Sequence, residues 1–128
     1  MRYWLLVAIL VLGCIAAAPT DSTVRLVVST DLGETVLINT QVTGSDNTIS
    51  LLGMVSDVET TYGGKFVDSI NGIRTRPDHA WFYYVNGELA GIGAAAYVPE
   101  NGDTIQWDYH GYRGNPFEPA YLEPPSLE

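Results

Sequence analysis

The chain has 128 residues, enough for one domain and too few for two ordinary ones. Its net charge is −9 and Lys65 is its only lysine, so it repels phosphate backbones and anionic lipid, which excludes nucleic-acid binding and a basic membrane patch. Cys14 is the only cysteine, so no intramolecular disulfide can stand in for a hydrophobic core.

Residues 1–18 read as an export leader. Arg2 supplies the charged start, residues 3 to 18 are an almost unbroken apolar run, and small residues follow. The run is short for a membrane span, which needs about 20 apolar residues, although a retained anchor would share this pattern. Two cleavage readings stay open. Val11-Leu12-Gly13-Cys14 resembles a bacterial lipoprotein box, which would lipidate Cys14, whereas Ala16, Ala17 and Ala18 offer an ordinary leader-peptidase site. Both put the mature chain outside the cell or in the cell envelope, and a disulfide-free exported domain suits a prokaryotic setting.

Residues 19–23 form a short polar linker. Val24, Leu26 and Val28 then alternate with Arg25, Val27 and Ser29, the pattern of a strand with one buried face. Thr30 to Gly33 is turn chemistry, and the β-branched run from Thr35 to Val42 completes a hairpin. After a loop rich in N-cap residues, Leu51, Leu52, Val55 and Val58 follow helical spacing. This predicts one helix of about three turns with Gly53 as its weak point, ended by Tyr62-Gly63-Gly64. Phe66 to Ile70 reads as a strand closed by Asn71-Gly72, and a polar stretch follows. Ala80 to Val85 is the most strand-like segment, with Trp81, Tyr83 and Val85 on one face and Phe82 and Tyr84 on the other. Asn86-Gly87 turns the chain, residues 91–96 are small and flexible, and Asn101-Gly102-Asp103 leads into a strand over 104–109. The stretch 110–128 holds four of the seven prolines and reads as an extended or loosely packed tail. The expected fold class is α+β, with one helix on a mixed or antiparallel sheet of short strands in a β-grasp arrangement over 24–109.

Four segments, in order, carry a family resemblance. They are Ser69-Ile70-Asn71-Gly72, the aromatic strand from Trp81 to Gly87, the Gly93 to Pro99 stretch with Tyr97, and the Gly102-Asp103 turn before Ile105. Together they resemble the C-terminal domain of transcobalamin and intrinsic factor, and exported prokaryotic domains grouped with it. In those carriers the domain is one side of a sandwich closed by a large helical domain. The resemblance therefore implies a non-catalytic module for a small ligand, such as a corrinoid or another cyclic molecule, with a partner supplying the other half of the site. It points to Trp81, Tyr83, Leu89, Gly93, Ala94, Ala95 and Tyr97, since rings and small residues make a platform on which a macrocycle can lie.

Other uses compete for the same residues. Aromatics such as Trp81 and Trp107 more commonly fill a core. Phe82 and Tyr84 cannot share the face of Trp81, so a second apolar face needs a cover: the tail, a ligand or a partner protein. The last option is a different function, a surface module that docks another protein or a wall polymer. His79 and His110 could each ligate a metal, though a lone histidine is usually structural. The aspartates do not follow a calcium-loop pattern, and Asp103 suits stabilisation of its own turn. No metal site is expected, no cofactor is required, and no nucleophile stands beside a base, so an enzyme is not expected.

Overall fold

A computed structural model describes residues 20–127; the leader reading and Cys14 lie outside the described residues. The chain order is β1 (Ser22–Thr30), β2 (Thr35–Gly44), α1 (Thr48–Gly53), β3 (Val58–Thr61), β4 (Phe66–Ile70), β5 (Ile73–Arg74), β6 (His79–Val85), β7 (Glu88–Leu89) and β8 (Thr104–Gly111). Two Asn-Gly pairs make the tightest turns, because both residues take positive φ: Asn71 and Gly72 at 49° and 83°, Asn86 and Gly87 at 51° and 87°. That backbone twist matches the twist of the strands it joins.

The larger sheet has the order β2-β1-β8-β6-β7, and the smaller one β3-β4-β5. β1 pairs antiparallel with β2 but parallel with β8, and β8 pairs antiparallel with β6. The fold is α+β with one short helix, as the alternation of periods predicts. Val24, Leu26, Val28, Ile105, Trp107, Trp81 and Tyr83 face Leu51 and Leu52 of α1 and Val67 and Ile70 of the small sheet, forming one core.

The helix is much shorter than its apolar spacing predicts. It stops at Gly53, with Asn47 as N-cap, and Met54 and Val55 continue only as tightened turns onto Leu51 and Leu52. Ser56 donates its hydroxyl to the Leu52 carbonyl and helps close the end. Val58 to Thr61 then pairs with β4, so the β-branched run prefers a ladder to a third helical turn. The polar stretch after Gly72 also contains β5, paired with β4.

β1 has two buried faces, not one. Val27 and Ser29 are buried along with Val28, and they share their layer with Tyr84, Gln106, Asp108 and His110. The tail covers this layer: the Tyr84 hydroxyl donates to the Pro119 carbonyl at 3.0 Å, Leu122 is buried, and its N–H donates to Gly87 at 2.7 Å. Arg25 reaches across to the carbonyl of Pro125. The second apolar face therefore has its cover within the chain. β8 also runs on to Gly111, which makes His110 a strand residue.

Candidate functional site

β7 is only two residues long and pairs with Tyr84 and Val85 alone. The chain leaves the sheet there, with the Ala90 N–H donating to the Tyr83 carbonyl at 3.1 Å, and swings outward as the 91–97 loop. Opposite this loop stand Lys65, Phe66 and Val67, at the start of β4. Between them lies a groove of 300 Å³ lined also by Trp81, Phe82, Tyr83, Trp107, Ala94 and, from the tail, Phe117.

The groove is built from hydrogen bonds that hold loop backbone to core residues. The Tyr83 hydroxyl donates to the Ile92 carbonyl, and Thr48 donates its hydroxyl to the Ala94 carbonyl at 2.7 Å and its N–H to the Tyr97 carbonyl at 3.0 Å. The Tyr97 hydroxyl donates to Asp103 at 2.7 Å, and Asp103 also accepts from Asn86 at 2.9 Å and the Glu100 N–H at 2.9 Å. Burial raises the Asp103 pKa, but the bonds from Tyr97, Asn86 and Glu100 outweigh it and hold the carboxyl below its ordinary value. Burial pushes the Tyr83 phenol up to about 12, and Tyr97 likewise to about 12, with Asp103 adding to the effect. Both phenols are therefore neutral donors near neutral pH.

Tyr83 and Trp107 stack with centroids 5.0 Å apart, and both rings are largely buried against the core beneath the groove. Phe66 and Ile92 leave apolar surface at the rim, 39% and 49% exposed, which is where a ligand would gain burial. No atom lies within 4 Å of a side chain built at Gly91 or Gly93, so the loop backbone faces open space. Lys65 puts one cation on the lip of an otherwise acidic protein.

Of the residues singled out from sequence, Trp81, Tyr83, Leu89, Gly93 and Ala94 come together on this groove. Ala95 and Tyr97 do not line it; Tyr97 turns to Asp103 and borders a neighbouring recess with Val85 and Leu89. Trp81 is 4% exposed and donates its indole N–H to the Ile73 carbonyl at 2.8 Å, so most of it belongs to the core. Phe66, Ile92 and Phe117 are groove residues that the pattern missed. They sit on separate segments, and only the fold brings them together.

Also unforeseen is a polar cluster on the tail-covered face, where Ser29, Asp108 and His110 form one hydrogen-bonded chain. The only signal was the i, i+2, i+4 placement of Gln106, Asp108 and His110 on one face of a buried strand. Among the described residues, no three His, Cys, Asp or Glu side chains gather as a metal site, and no helix is long and apolar enough to cross a membrane.

A family model described as a domain of unknown function, DUF4430, matches residues 46–111. No curated protein matches the chain. Among solved structures, the chain is similar to haptocorrin in complex with Cbi, with a TM-score of 0.58 and 20% identity over 75% of this chain. The similarity covers 26% of the haptocorrin chain, so this protein spans about a quarter of that one's length. A proposed metal binding protein from Ruminococcus gnavus ATCC 29149 is similar at a TM-score of 0.54 and 12% identity, over 72% of this chain and 99% of that one. At these identities the likeness is one of fold.

Proposed function

The chain belongs to the DUF4430 family, and on that premise we propose that it is a non-catalytic binding module whose groove captures a small, flat, largely apolar ligand such as a corrinoid. The observation that carries this reading is the groove itself: an aromatic-rich lining, an exposed apolar rim and bare loop backbone meeting where β6 loses its strand partner. The fold it shares with haptocorrin, a protein solved with Cbi bound, supports the ligand class.

The groove's 300 Å³ is at the small end of ligand sites, which run from about 300 to 1,000 Å³. A macrocycle would lie on it with one face uncovered. A second surface, from an envelope protein or another domain, completes the site in this proposal. We place the module outside the cytoplasm, in the envelope or beyond, on the strength of Arg2 and the apolar run that follows it. The docking-module alternative loses its main support, because the protein's own tail covers Tyr84. Ser29, the serine nearest a histidine network, donates to Asp108 at 2.6 Å rather than to His110, which supports a non-catalytic role.

The test is isothermal titration of the chain from Thr20 onward with cobinamide and with cobalamin. Saturable binding is expected, and it should weaken tenfold or more in a Phe66→Asp, Ile92→Asp double variant, a loss of about 1.4 kcal/mol. Both positions are partly exposed, so the variant should keep its fold. Absence of heat with either corrinoid at high protein concentration would remove the corrinoid from this proposal.

A further inference from the structure

The edge of the larger sheet farthest from the groove carries an arrangement that does not depend on it. β2 is the outermost strand there, with β1 on one side and no strand on the other among the described residues. The alternation of the backbone decides which residues face the open side. Arg25 and Asp31 donate their N–H groups to the carbonyls of Asp103 and Tyr109, so the odd-numbered residues of β1 serve β8 and the even-numbered ones serve β2. Val24 and Leu26 stand opposite Val42 and Thr40, which therefore turn inward. Asn39, Gln41 and Thr43 turn outward. All three are exposed, and their backbone N–H and C=O groups have no hydrogen-bond partner among the described residues.

An open edge is a template for another strand, and proteins usually blunt it with lysine, proline, a short length or a bulge. β2 lacks the first three: it is 10 residues long, and Thr35–Gly44 contains no charged residue and no proline. Its one irregularity lies opposite Val28 and Ser29, beyond Asn39. Asn39 accepts from Arg25 Nε at 3.0 Å, and the Thr43 hydroxyl bonds that of Thr23 at 2.9 Å, so both side chains are tied back to β1. These features select a second copy of the chain as the occupant. A molecule with a net charge of −9 repels its own copy except along a strip free of charge, and this strand is such a strip. Antiparallel pairing about a two-fold axis at Gln41 sets Gln41 against its own copy and Asn39 against Thr43, so each outward N–H meets an outward C=O. The two Gln41 amides are self-complementary, each offering a donor and an acceptor. Glu34 and Asp46, the acids that bracket the strand, do not stand opposite one another in this register.

We propose that β2 pairs antiparallel with β2 of a second copy, Gln41 on Gln41, joining two larger sheets into one. Three outward residues a side make a narrow strip, well short of the roughly 20–30 residues a side of a standard interface, so the dimer is weak and forms as concentration rises. The groove lies by β6 and β7, across the sheet from β2, so the dimer carries its two grooves at opposite ends with both free. A surface presenting two ligands is then held at both.

Both sheets, the helix and the core lie within the described residues, so the test uses the chain from Thr20 onward, free of the apolar run that precedes it. Sedimentation equilibrium in physiological salt, which screens charges beyond about 8 Å, should show a monomer–dimer equilibrium with a Kd below about 1 mM. Gln41→Lys puts two cations on the axis and should weaken the dimer tenfold or more. Mixed with an equal amount of Gln41→Glu, it should recover association as a mixed dimer. The Phe66→Asp, Ile92→Asp groove variant should dimerise like the parent, which separates this edge from the groove. Position 41 is exposed, and near-ultraviolet circular dichroism checks that each variant is folded. A chain that stays monomeric at about 1 mM overturns the proposal and leaves the edge to an extended segment of another protein. It is overturned equally by a dimer that survives in folded Gln41→Lys, or by a mixture that fails to restore it.

Discussion

Replacing Asp103 by alanine removes the acceptor shared by Tyr97, Asn86 and the Glu100 N–H, the clasp that fixes the far end of the groove loop. A hydrogen bond to a charged group contributes about 1.5–3 kcal/mol. Asn86 and Glu100 are exposed and can turn to water, so the cost comes mainly from the half-buried Tyr97 hydroxyl. We expect Asp103→Ala to lose about 2–4 kcal/mol, a large share of the 5–15 kcal/mol that holds a domain of this size. The sign with pH follows from the lowered pKa. A carboxyl depressed in the folded state stabilises above its unfolded value, about 3.9, and that contribution fades as pH falls through the folded value. Urea unfolding of both proteins at pH 7 and at pH 3 or below should therefore show a wide gap that narrows in acid. A gap of the same width at both pH values would show that the charge on Asp103 is not what stabilises the loop, and no gap at pH 7 would dismiss the clasp altogether.

Two further predictions concern the other end of the titration range and the tail. Burial pushes Tyr83, Tyr84 and Tyr97 up to about 12, with Asp108 adding to the effect at Tyr84, so their stabilisation is complete below about pH 10 and is lost as pH rises towards 12. Absorbance titration should find three of the eight tyrosines ionising late in the folded protein and at ordinary pH in urea; a single step near 10 without urea contradicts this. Gly87 has φ of 87°, and a side chain there would lie 2.7 Å from the Tyr121 ring, so Gly87→Ala should lose about 1–3 kcal/mol and speed protease cleavage within 112–127. Gly63→Ala, also at positive φ but facing open space, should leave the tail protected.

The features readable in the sequence are those whose cause is local. Asn71-Gly72 and Asn86-Gly87 can adopt left-handed pairs without help, and the alternation from Trp81 to Val85 is a direct imprint of the pleat. Residues 49–58 were harder, since Leu51, Leu52, Val55 and Val58 satisfy a helical period while Val58 is claimed by a partner twelve residues away at Ile70. The second buried face was hidden for the same kind of reason. Ser29, Gln106 and Asp108 look like the wet side of two strands until a tail with no periodicity of its own lies over them. Part of the groove was legible because Trp81, Tyr83 and Leu89 to Ala94 are near one another in the chain. Phe66, Phe117 and the His110 network depend on long-range neighbours and left little local trace.

The parallel pairing of β1 with β8 has a consequence for how the protein comes into being. Its first register pair joins Arg25 to Thr104, a separation of 104 − 25 = 79 residues, and β8 fills the slot in the middle of the larger sheet. The β1–β2 hairpin can close as soon as it is made, but Leu26 and Val28 stay without their β8 neighbours, Ile105 and Trp107, until nearly the whole chain is present. Long-range pairing of this kind is paid for in chain entropy before it gives anything back, which makes folding slow. Folding should therefore be a late event, released by the arrival of the last strand and locked only when the tail has crossed the sheet.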